Sequence, residues 1–338
     1  MNYNFNSNKM FFYFILFFST MISISSNSWL GCWIGLEINL LSFIPLISNV
    51  NNLLMTEASL KYFLVQSIAS INLLFFILMK MFFLKNFEFN KIYMILLNLP
   101  LLMKMGSAPF HFWFPNIMEG LSWLNCFILM TWQKITPMIL LSYYFFNNFL
   151  IFIMIMNSII GALGGINQIS LRKLMAFSSI NNLSWMIASI MISENMWLMY
   201  FLIYSLINLL MCMMFFMLNI FYINQMFFSN IKLIIKLTMM FNLLSLGGLP
   251  PFLGFFPKWM IINYLIINKF FILTFIFIMM SLIMLFFYIR MTYSSFILNY
   301  IKLKWFKIKM KNSFFSLFNI IYIFSMLGLP LSTLLFYF

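Results

Sequence analysis

Long apolar runs separated by short polar stretches make up most of this chain. An α-helix needs about 20 apolar residues to cross the hydrocarbon core of a bilayer, and the runs have this length. The pattern therefore predicts an all-α polytopic membrane protein with about 11 transmembrane helices. We place the spans near residues 10–26, 29–47, 58–83, 92–115, 121–145, 148–168, 174–193, 196–222, 237–267, 270–298 and 314–337.

Two of these runs carry helix-breaking residues. Residues 104–115 read KMGSAPFHFWFP, and residues 247–258 read GGLPPFLGFFPK. Proline lacks a backbone N–H and clashes with the preceding turn, so we expect a broken helix in both places. A break inside a membrane is tolerated where protein or trapped water satisfies the freed backbone groups, and it often marks the path of an ion or a substrate.

The two broken segments align without a gap when Gly106 is placed on Gly248, 142 residues later. Pro109 then falls on Pro251, Phe110 on Phe252 and Phe114 on Phe256. Chance similarity in a phenylalanine-rich chain is the alternative explanation. Two interrupted apolar segments in corresponding places are typical of a transporter built from repeats, with its pathway at the breaks.

We therefore interpret residues 1–338 as a single membrane domain built from two repeats. Repeat one covers about 10–145, repeat two covers about 148–298, and a carboxyl-terminal helix follows at about 314–337. Each repeat holds five helices. Because that number is odd, the two repeats are expected to be inverted relative to each other.

Composition supports the membrane assignment. Hydrophobic residues make up 64% of the chain and charged residues 7%, with a mean hydropathy of +1.03, whereas soluble proteins contain about 25% charged residues. A net charge of +14 would suggest nucleic acid as the partner of a soluble protein. Here the basic residues lie mainly at span ends, so we expect contact with membrane lipids and no nucleic acid. The abundance of Phe, Met, Ile and Asn reflects A+T-rich codons, which are typical of an organelle genome.

The loop charges predict an orientation. Ten basic residues lie on the side that holds the amino terminus: Lys9, Arg172, Lys173, Lys232, Lys236, Lys302, Lys304, Lys307, Lys309 and Lys311. Four lie on the opposite side: Lys80, Lys85, Lys91 and Lys269. By the positive-inside tendency, the amino terminus is expected to face the cytoplasm or the mitochondrial matrix.

Four ionisable residues are predicted to lie inside the membrane. At about 1.5 Å per residue, Glu37 lies about 12 Å, Lys104 about 18 Å and Lys134 about 20 Å from the start of its span. Lys258 follows the second break. A charge at this depth costs on the order of 2.5–3.5 kcal/mol, so such residues are candidates for a proton relay. A static ion pair between Glu37 and a lysine is the structural alternative.

Two further features leave alternatives open. His111, the only histidine, suits either a proton shuttle or a fixed hydrogen-bond donor at the first break. Glu57 and Lys61 have the i, i+4 spacing of a surface ion pair. Cysteines at positions 32, 126 and 212 are scattered through apolar runs, so we expect neither a disulfide framework nor a metal site. One histidine, three cysteines and no glycine-rich loop after a strand also predict that this chain binds no haem, iron–sulfur cluster or nucleotide cofactor.

Several motifs together resemble the chain 2 family of NADH–ubiquinone oxidoreductase, the mitochondrially encoded antiporter-like subunits of respiratory complex I. These motifs are GLEINLLSFIPL around Glu37, TEASLKYFLVQ, KMGSAPFHFWFP, MTWQKITP around Lys134, NQISLRKLMAFSSI and SLGGLPPFLGFFPKW. The resemblance covers nearly the whole chain, and the residue usage is similar to that of arthropod members.

The resemblance implies a role for each buried charge. Glu37 is similar to the family's membrane glutamate, and Lys104 to the lysine on the first broken helix that pairs with it. Lys134 resembles the central lysine of the next helix, and Lys258 the lysine on the second broken helix that leads toward the neighbouring subunit. One departure is Asn182, at a position that is commonly histidine. Because asparagine cannot pass on a proton, water would have to bridge that position.

The resemblance also implies a proton-translocating membrane-arm subunit that responds to NADH oxidation and quinone reduction elsewhere in the enzyme. NADH, FMN, iron–sulfur clusters and ubiquinone would be bound by the rest of the complex. The partners would be other membrane-arm subunits, including neighbouring antiporter-like ones, in the mitochondrial inner membrane. The alternatives are a self-standing cation/proton antiporter and a structural spacer between pump modules.

Overall fold

A computed structural model describes residues 7–49, 51–83, 90–228 and 233–297. In these ranges the backbone consists of α-helices and turns, with an isolated bridge between Ser170 and Tyr222. Eight helical segments of the described residues are long and apolar enough to cross a membrane, and one of them, Trp123–Tyr143, consists of two consecutive helices. The prediction of an all-α polytopic membrane protein is confirmed.

The chain divides into two compact units, residues 1–153 and residues 154–338. Helices of the first unit are α1 (Ser7–Ser25), α2 (Trp29–Ile47), α3 (Leu53–Phe83), α4 (Asn90–Met105), α5 (Trp113–Gly120), α6 (Trp123–Met130) and α7 (Trp132–Tyr143). Helix α3 contacts α2, α4 and α5, while α7 contacts α1 and α4. This packing brings α2, α3, α4 and α7 together around the centre of the unit.

Helix α8 (Asn147–Gly165) begins just before the division, and the remaining helices belong to the second unit. They are α9 (Leu171–Ile192), α10 (Glu194–Leu218), α11 (Ile223–Phe228), α12 (Leu233–Gly247), α13 (Phe255–Ile267) and α14 (Phe271–Ile297). Helix α9 contacts α10 and α13, and α12 contacts α10 and α14. Ser193 is the N-cap residue of α10, because its side chain accepts a hydrogen bond from the backbone N–H of Met196.

Both predicted helix breaks are confirmed. Helix α4 ends at Met105 and α5 begins at Trp113, whereas α12 ends at Gly247 and α13 begins at Phe255. Corresponding bounds are 142 residues apart, which is the offset found in the sequence. The peptide bonds before Pro109 and Pro251 are both cis.

The span predicted at 121–145 is not one uninterrupted helix. It is divided into α6 and α7 at Thr131, whose φ of −116° and ψ of −73° depart from helical values. The Thr131 hydroxyl donates to the carbonyl of Phe127, and the N–H of Lys134 bonds the carbonyl of Thr131 three residues earlier. The Thr131 hydroxyl competes with backbone N–H groups for a carbonyl acceptor. This competition explains why the helix is interrupted here by a hydrogen bond between residues three positions apart.

Several of the basic residues counted for orientation lie in the first turns of helices, and one of them, Lys236, is buried. Lys236 lies in the first turn of α12 and is buried, because this helix begins four residues earlier than the sequence predicts. Lys85, Lys232, the cluster from Lys302 to Lys311 and the predicted helix at 314–337 lie outside the described residues. The predicted orientation therefore stays a prediction.

Candidate functional site

The two helix breaks share one backbone motif. At the first, Gly106 has a φ of +70°, and the N–H groups of Gly106 and Ser107 bond the carbonyls of Met103 and Leu102. At the second, Gly248 has a φ of +83°, and the N–H groups of Gly248 and Leu249 bond those of Ser245 and Leu244. This is the Schellman cap, in which glycine adopts a left-handed conformation that other residues rarely tolerate. The repeated glycines are therefore explained by the caps.

Neutral side chains donate further hydrogen bonds to the carbonyls of the first break. The Trp113 indole N–H donates to the carbonyl of Met103 at 3.1 Å, and the Gln66 amide donates to the carbonyl of Lys104 at 3.1 Å. The Ser107 hydroxyl donates to the carbonyl of Leu102. These bonds hold the end of α4 without using any charged group.

The Lys104 side chain is buried in the last turn of α4 and is 6% exposed. Its Nζ atom has no hydrogen-bond partner among the described residues. The half-buried Glu37 on α2 lies near enough to interact with it electrostatically. The structure thus brings the predicted pair into one neighbourhood without joining it in a hydrogen bond.

The Lys134 side chain packs against an aromatic ring that also packs against the first break. Its side chain is 1% exposed, and its Nζ atom lies 5.2 Å from the centroid of Phe114 on α5. On the other side of the break, a Cβ atom added to Gly106 would lie 2.9 Å from the Cβ atom of Phe114. Phe114 therefore packs closely between the cap of α4 and the Lys134 side chain.

A small cavity lies beside Lys104 in the first unit. Six of its nine lining residues carry polar side chains: Asn39, Tyr62, Gln66, Lys104, Gln133 and Thr136. The Gln133 amide donates to the Asn39 carbonyl oxygen at 2.8 Å, and the Tyr62 hydroxyl donates to the Gln133 carbonyl oxygen at 3.4 Å. Neither Glu37, Lys134 nor His111 belongs to this lining.

In the second unit, Lys258 is held at the break itself. It lies in the first turn of α13 and is 7% exposed. Its Nζ atom donates to the carbonyls of Gly247 at 2.9 Å and Leu246 at 3.4 Å, and it lies 5.8 Å from the Trp185 ring centroid. A charged donor therefore satisfies the end of α12.

Asn182 lies in the same part of the second unit as Lys258, and both line one cavity. The Tyr200 hydroxyl donates to the side-chain oxygen of Asn182 at 3.1 Å. Tyr200 also lines the cavity. The asparagine is therefore a buried hydrogen-bond acceptor close to the lysine.

His111 lies in the turn between α4 and α5 and is buried. Its Nδ1 atom has no hydrogen-bond partner among the described residues, while its backbone carbonyl accepts from the N–H of Phe114. Glu57 and Lys61 form an ion pair at 3.5 Å with side chains 61% and 54% exposed, so they match the surface alternative.

Residues 26–284 match the model of a family described as NADH:quinone oxidoreductase/Mrp antiporter, transmembrane. The chain belongs to this family. NADH-ubiquinone oxidoreductase chain 2 of Anopheles gambiae is 53% identical over 312 residues, which cover 91% of this chain and 90% of that protein. The chain 2 protein of Locusta migratoria is 45% identical over 303 residues, which cover 89% of each. The resemblance inferred from the motifs is confirmed.

A solved structure of respiratory complex I from Thermus thermophilus with bound aureothin contains a chain of the same fold. The TM-score is 0.83 at 18% identity, over 95% of this chain and 78% of that one. A chain of the Mrp complex from Dietzia sp. has a TM-score of 0.74 at 13% identity, over 83% of this chain and 59% of that one. The family fold is therefore present in this chain.

Ligands for an iron–sulfur cluster do not come together in the described part of this family member. Cys32, Cys126 and Cys212 are buried and located on three different helices, whereas such clusters are held by four ligands, usually cysteines. In the same residues, no group of three or more His, Cys, Asp or Glu side chains could hold a metal ion.

Apart from Lys104, the polar residues around the first cavity were not identified as site residues from the sequence. A signal was present, because Tyr62 and Gln66 are four residues apart on α3, and Gln133 and Thr136 are three residues apart on α7. At these spacings both members of a pair lie on one helix face. Polar pairs on one face of an apolar helix would have indicated a buried polar site.

Proposed function

We propose that this chain is a proton-translocating membrane-arm subunit of mitochondrial respiratory complex I. The family membership supports this function, and the complex would be embedded in the mitochondrial inner membrane with the amino terminus on the matrix side. Its partners would be the other membrane-arm subunits, including antiporter-like neighbours. NADH, FMN, iron–sulfur clusters and ubiquinone would act in other subunits. Residues 10–145 and 148–298 would act as inverted repeats.

Within this function, Glu37, Lys104, Lys134 and Lys258 would carry the translocated protons, with His111 as a further relay candidate. The observation that carries this assignment is the buried Lys104 ammonium group, which has no hydrogen-bond partner among the described residues and lies within electrostatic range of Glu37. A buried cation without a partner is costly, so it is retained where its charge has a function.

The mechanism needs a lysine that can give up a proton and take it back. Glu37 favours the charged form of Lys104 when the two side chains approach, and burial away from bulk water favours the neutral form when they separate. Buried next to Phe114, Lys134 is the nearest predicted carrier along the chain. Conformational changes driven by quinone reduction would alter these separations and so move protons.

The first test asks whether the chain resides in complex I. Mitochondrial membranes solubilised in mild detergent are separated on a native gel, stained for NADH oxidation and analysed by mass spectrometry. We expect the chain to migrate with the large NADH-oxidising band. Migration alone or with other transporters would favour the self-standing antiporter.

The second test replaces Lys134 with methionine and measures the proton-to-electron ratio of complex I in liposomes. We expect the ratio to fall while the complex assembles normally, because methionine has a similar shape but carries no proton. Lys61→Met is the matched control, since Lys61 is an exposed lysine of the same unit. An unchanged ratio in Lys134→Met would contradict the proton-carrying role and favour the structural spacer.

A further inference from the structure

The cavity beside Lys104 has the properties of a binding site for water. It is lined by polar side chains from α2, α3, α4 and α7, and its volume is about that of one water molecule. Buried water is typically found where a cavity is polar and where buried groups lack other partners. This cavity meets the first condition through its lining.

The second condition is met by two atoms from different helices. Among the lining side chains, Lys104 Nζ on α4 and Thr136 Oγ1 on α7 are the buried polar atoms without a hydrogen-bond partner in the described residues. The neighbouring amides are already engaged, because Gln133 bonds Asn39 and Gln66 bonds the carbonyl of Lys104. A bound water would therefore find its free partners in Lys104 and Thr136.

We propose that this cavity binds one water molecule between Lys104 Nζ and Thr136 Oγ1, and that Thr136 is a positioning residue for proton transfer at Lys104. The inference rests on the proposed function. In the transfer, an N–H bond of the Lys104 ammonium breaks as an O–H bond forms on the water, and another O–H bond of that water breaks as its proton bonds the Glu37 carboxylate, the proposed carrier within electrostatic range. The positive charge moves with the proton, and no other reactant is needed.

Thr136 suits this role because a hydroxyl group both donates and accepts hydrogen bonds. Threonine hydroxyls inside helices commonly donate to a backbone carbonyl of their own helix, and Thr20 on α1 does so toward Phe17 at 2.7 Å. The Thr136 hydroxyl makes no such bond with the described residues. It is therefore available to the cavity.

The test combines a density map with activity, using the intact complex. Wild-type, Thr136→Val and Thr136→Ser complexes are imaged by electron cryomicroscopy at a resolution that shows ordered water. Proton-coupled turnover is measured on the same preparations in liposomes. Thr20→Val is the matched control, because it removes another buried threonine hydroxyl of the same unit, and Thr20 lies outside the cavity lining.

We expect density within hydrogen-bond distance of both Lys104 Nζ and Thr136 Oγ1 in the wild type and in Thr136→Ser, and no such density in Thr136→Val. Coupled turnover should fall about fivefold in Thr136→Val, as expected for one hydrogen bond lost from the transfer step. It should recover in Thr136→Ser and stay normal in Thr20→Val.

Absence of the wild-type density, or normal coupled turnover in Thr136→Val, would overturn the inference. Lys134→Met, measured in parallel, distinguishes failure of the proposed proton-translocating function from failure of the water-positioning role of Thr136. If Lys134→Met lowers turnover and Thr136→Val does not, the proposed function stands and the water-positioning role fails. If neither variant lowers it, both fail.

Discussion

The two helix breaks have the same backbone and use their lysines differently. Each break follows a Schellman cap with a left-handed glycine, and the helices around it begin and end at equivalent positions. Lys104 precedes the glycine of the first cap, whereas Lys258 follows that of the second and donates back to the end of its helix. The same backbone motif therefore occurs with a buried lysine that has no hydrogen-bond partner among the described residues and with one that donates to the helix end.

The difference lies in which side chains satisfy the helix end. In the first break, the carbonyl of Lys104 accepts a hydrogen bond from the Gln66 side-chain amide. At the equivalent position of the second break, the carbonyl of Leu246 accepts from the Lys258 ammonium group. Gln66 and Trp113 donate hydrogen bonds to the carbonyls at the first break, so the Lys104 ammonium is not needed as a donor to the helix end. In the second break, Lys258 combines a structural role with the proposed proton-carrying one.

Replacing Lys258 with methionine should have the largest effect on stability. It leaves the carbonyls of Leu246 and Gly247 without their ammonium donor, and each unsatisfied buried group costs about 1–3 kcal/mol. We expect a lower temperature of complex dissociation, followed on native gels, together with reduced proton pumping. Normal thermal stability would show that the bonds to the helix end contribute little.

Replacing Lys104 with methionine should affect pumping and leave stability intact. The variant removes a buried cation that has no hydrogen-bond partner among the described residues, so no protein acceptor loses its donor. Coupled turnover should fall by at least about a hundredfold, the lower end of the range for a lost proton-transfer group. Dissociation at a clearly lower temperature than the wild type would indicate a structural role like that of Lys258.

Alanine at either cap glycine should lower stability less than Lys258→Met does. The two alanine variants should differ in how their effects combine with substitution of the nearby lysine. Alanine at Gly106 or Gly248 strains the left-handed backbone by about 1–2 kcal/mol in both cases. At Gly248 the added Cβ atom would also lie 2.9 Å from Cδ of Lys258, whereas at Gly106 it would meet Phe114.

A double-mutant cycle can detect this difference in thermal stability. Gly248→Ala and Lys258→Met should couple by about 0.5 kcal/mol or more, because the lysine is a shared contact. Gly106→Ala and Lys104→Met should be additive. Equal coupling in the two cycles would contradict the distinction between the breaks.

The sequence predicted the breaks because glycine and proline act locally, through φ restrictions and a missing N–H group. It also predicted the burial of Lys104 and Lys134, because each lies deep in an apolar run, whereas Lys258 follows a break and its depth could not be obtained by counting residues. It could not predict which groups satisfy the carbonyls. The partner of the Lys104 carbonyl is Gln66, 38 residues earlier on another helix, and such a pairing is decided by helix packing.

Helix ends and interruptions were less predictable for the same reason. The interruption at Thr131 depends on a hydroxyl that competes for a backbone acceptor, and threonine hydroxyls elsewhere in the described chain bond the backbone within uninterrupted helices. Lys236 was assigned to a loop because apolar periodicity does not mark where α12 begins. The cavity beside Lys104 required four helices to be placed before its polar lining could be recognised.

The central claim is that the Lys104 ammonium group serves proton transfer and that Lys258 additionally holds its helix end. The most direct measurement is the proton-to-electron ratio of Lys104→Met complex I in liposomes, with the dissociation temperature of the same preparation. We predict a reduced ratio at the wild-type dissociation temperature. A wild-type ratio would contradict the account.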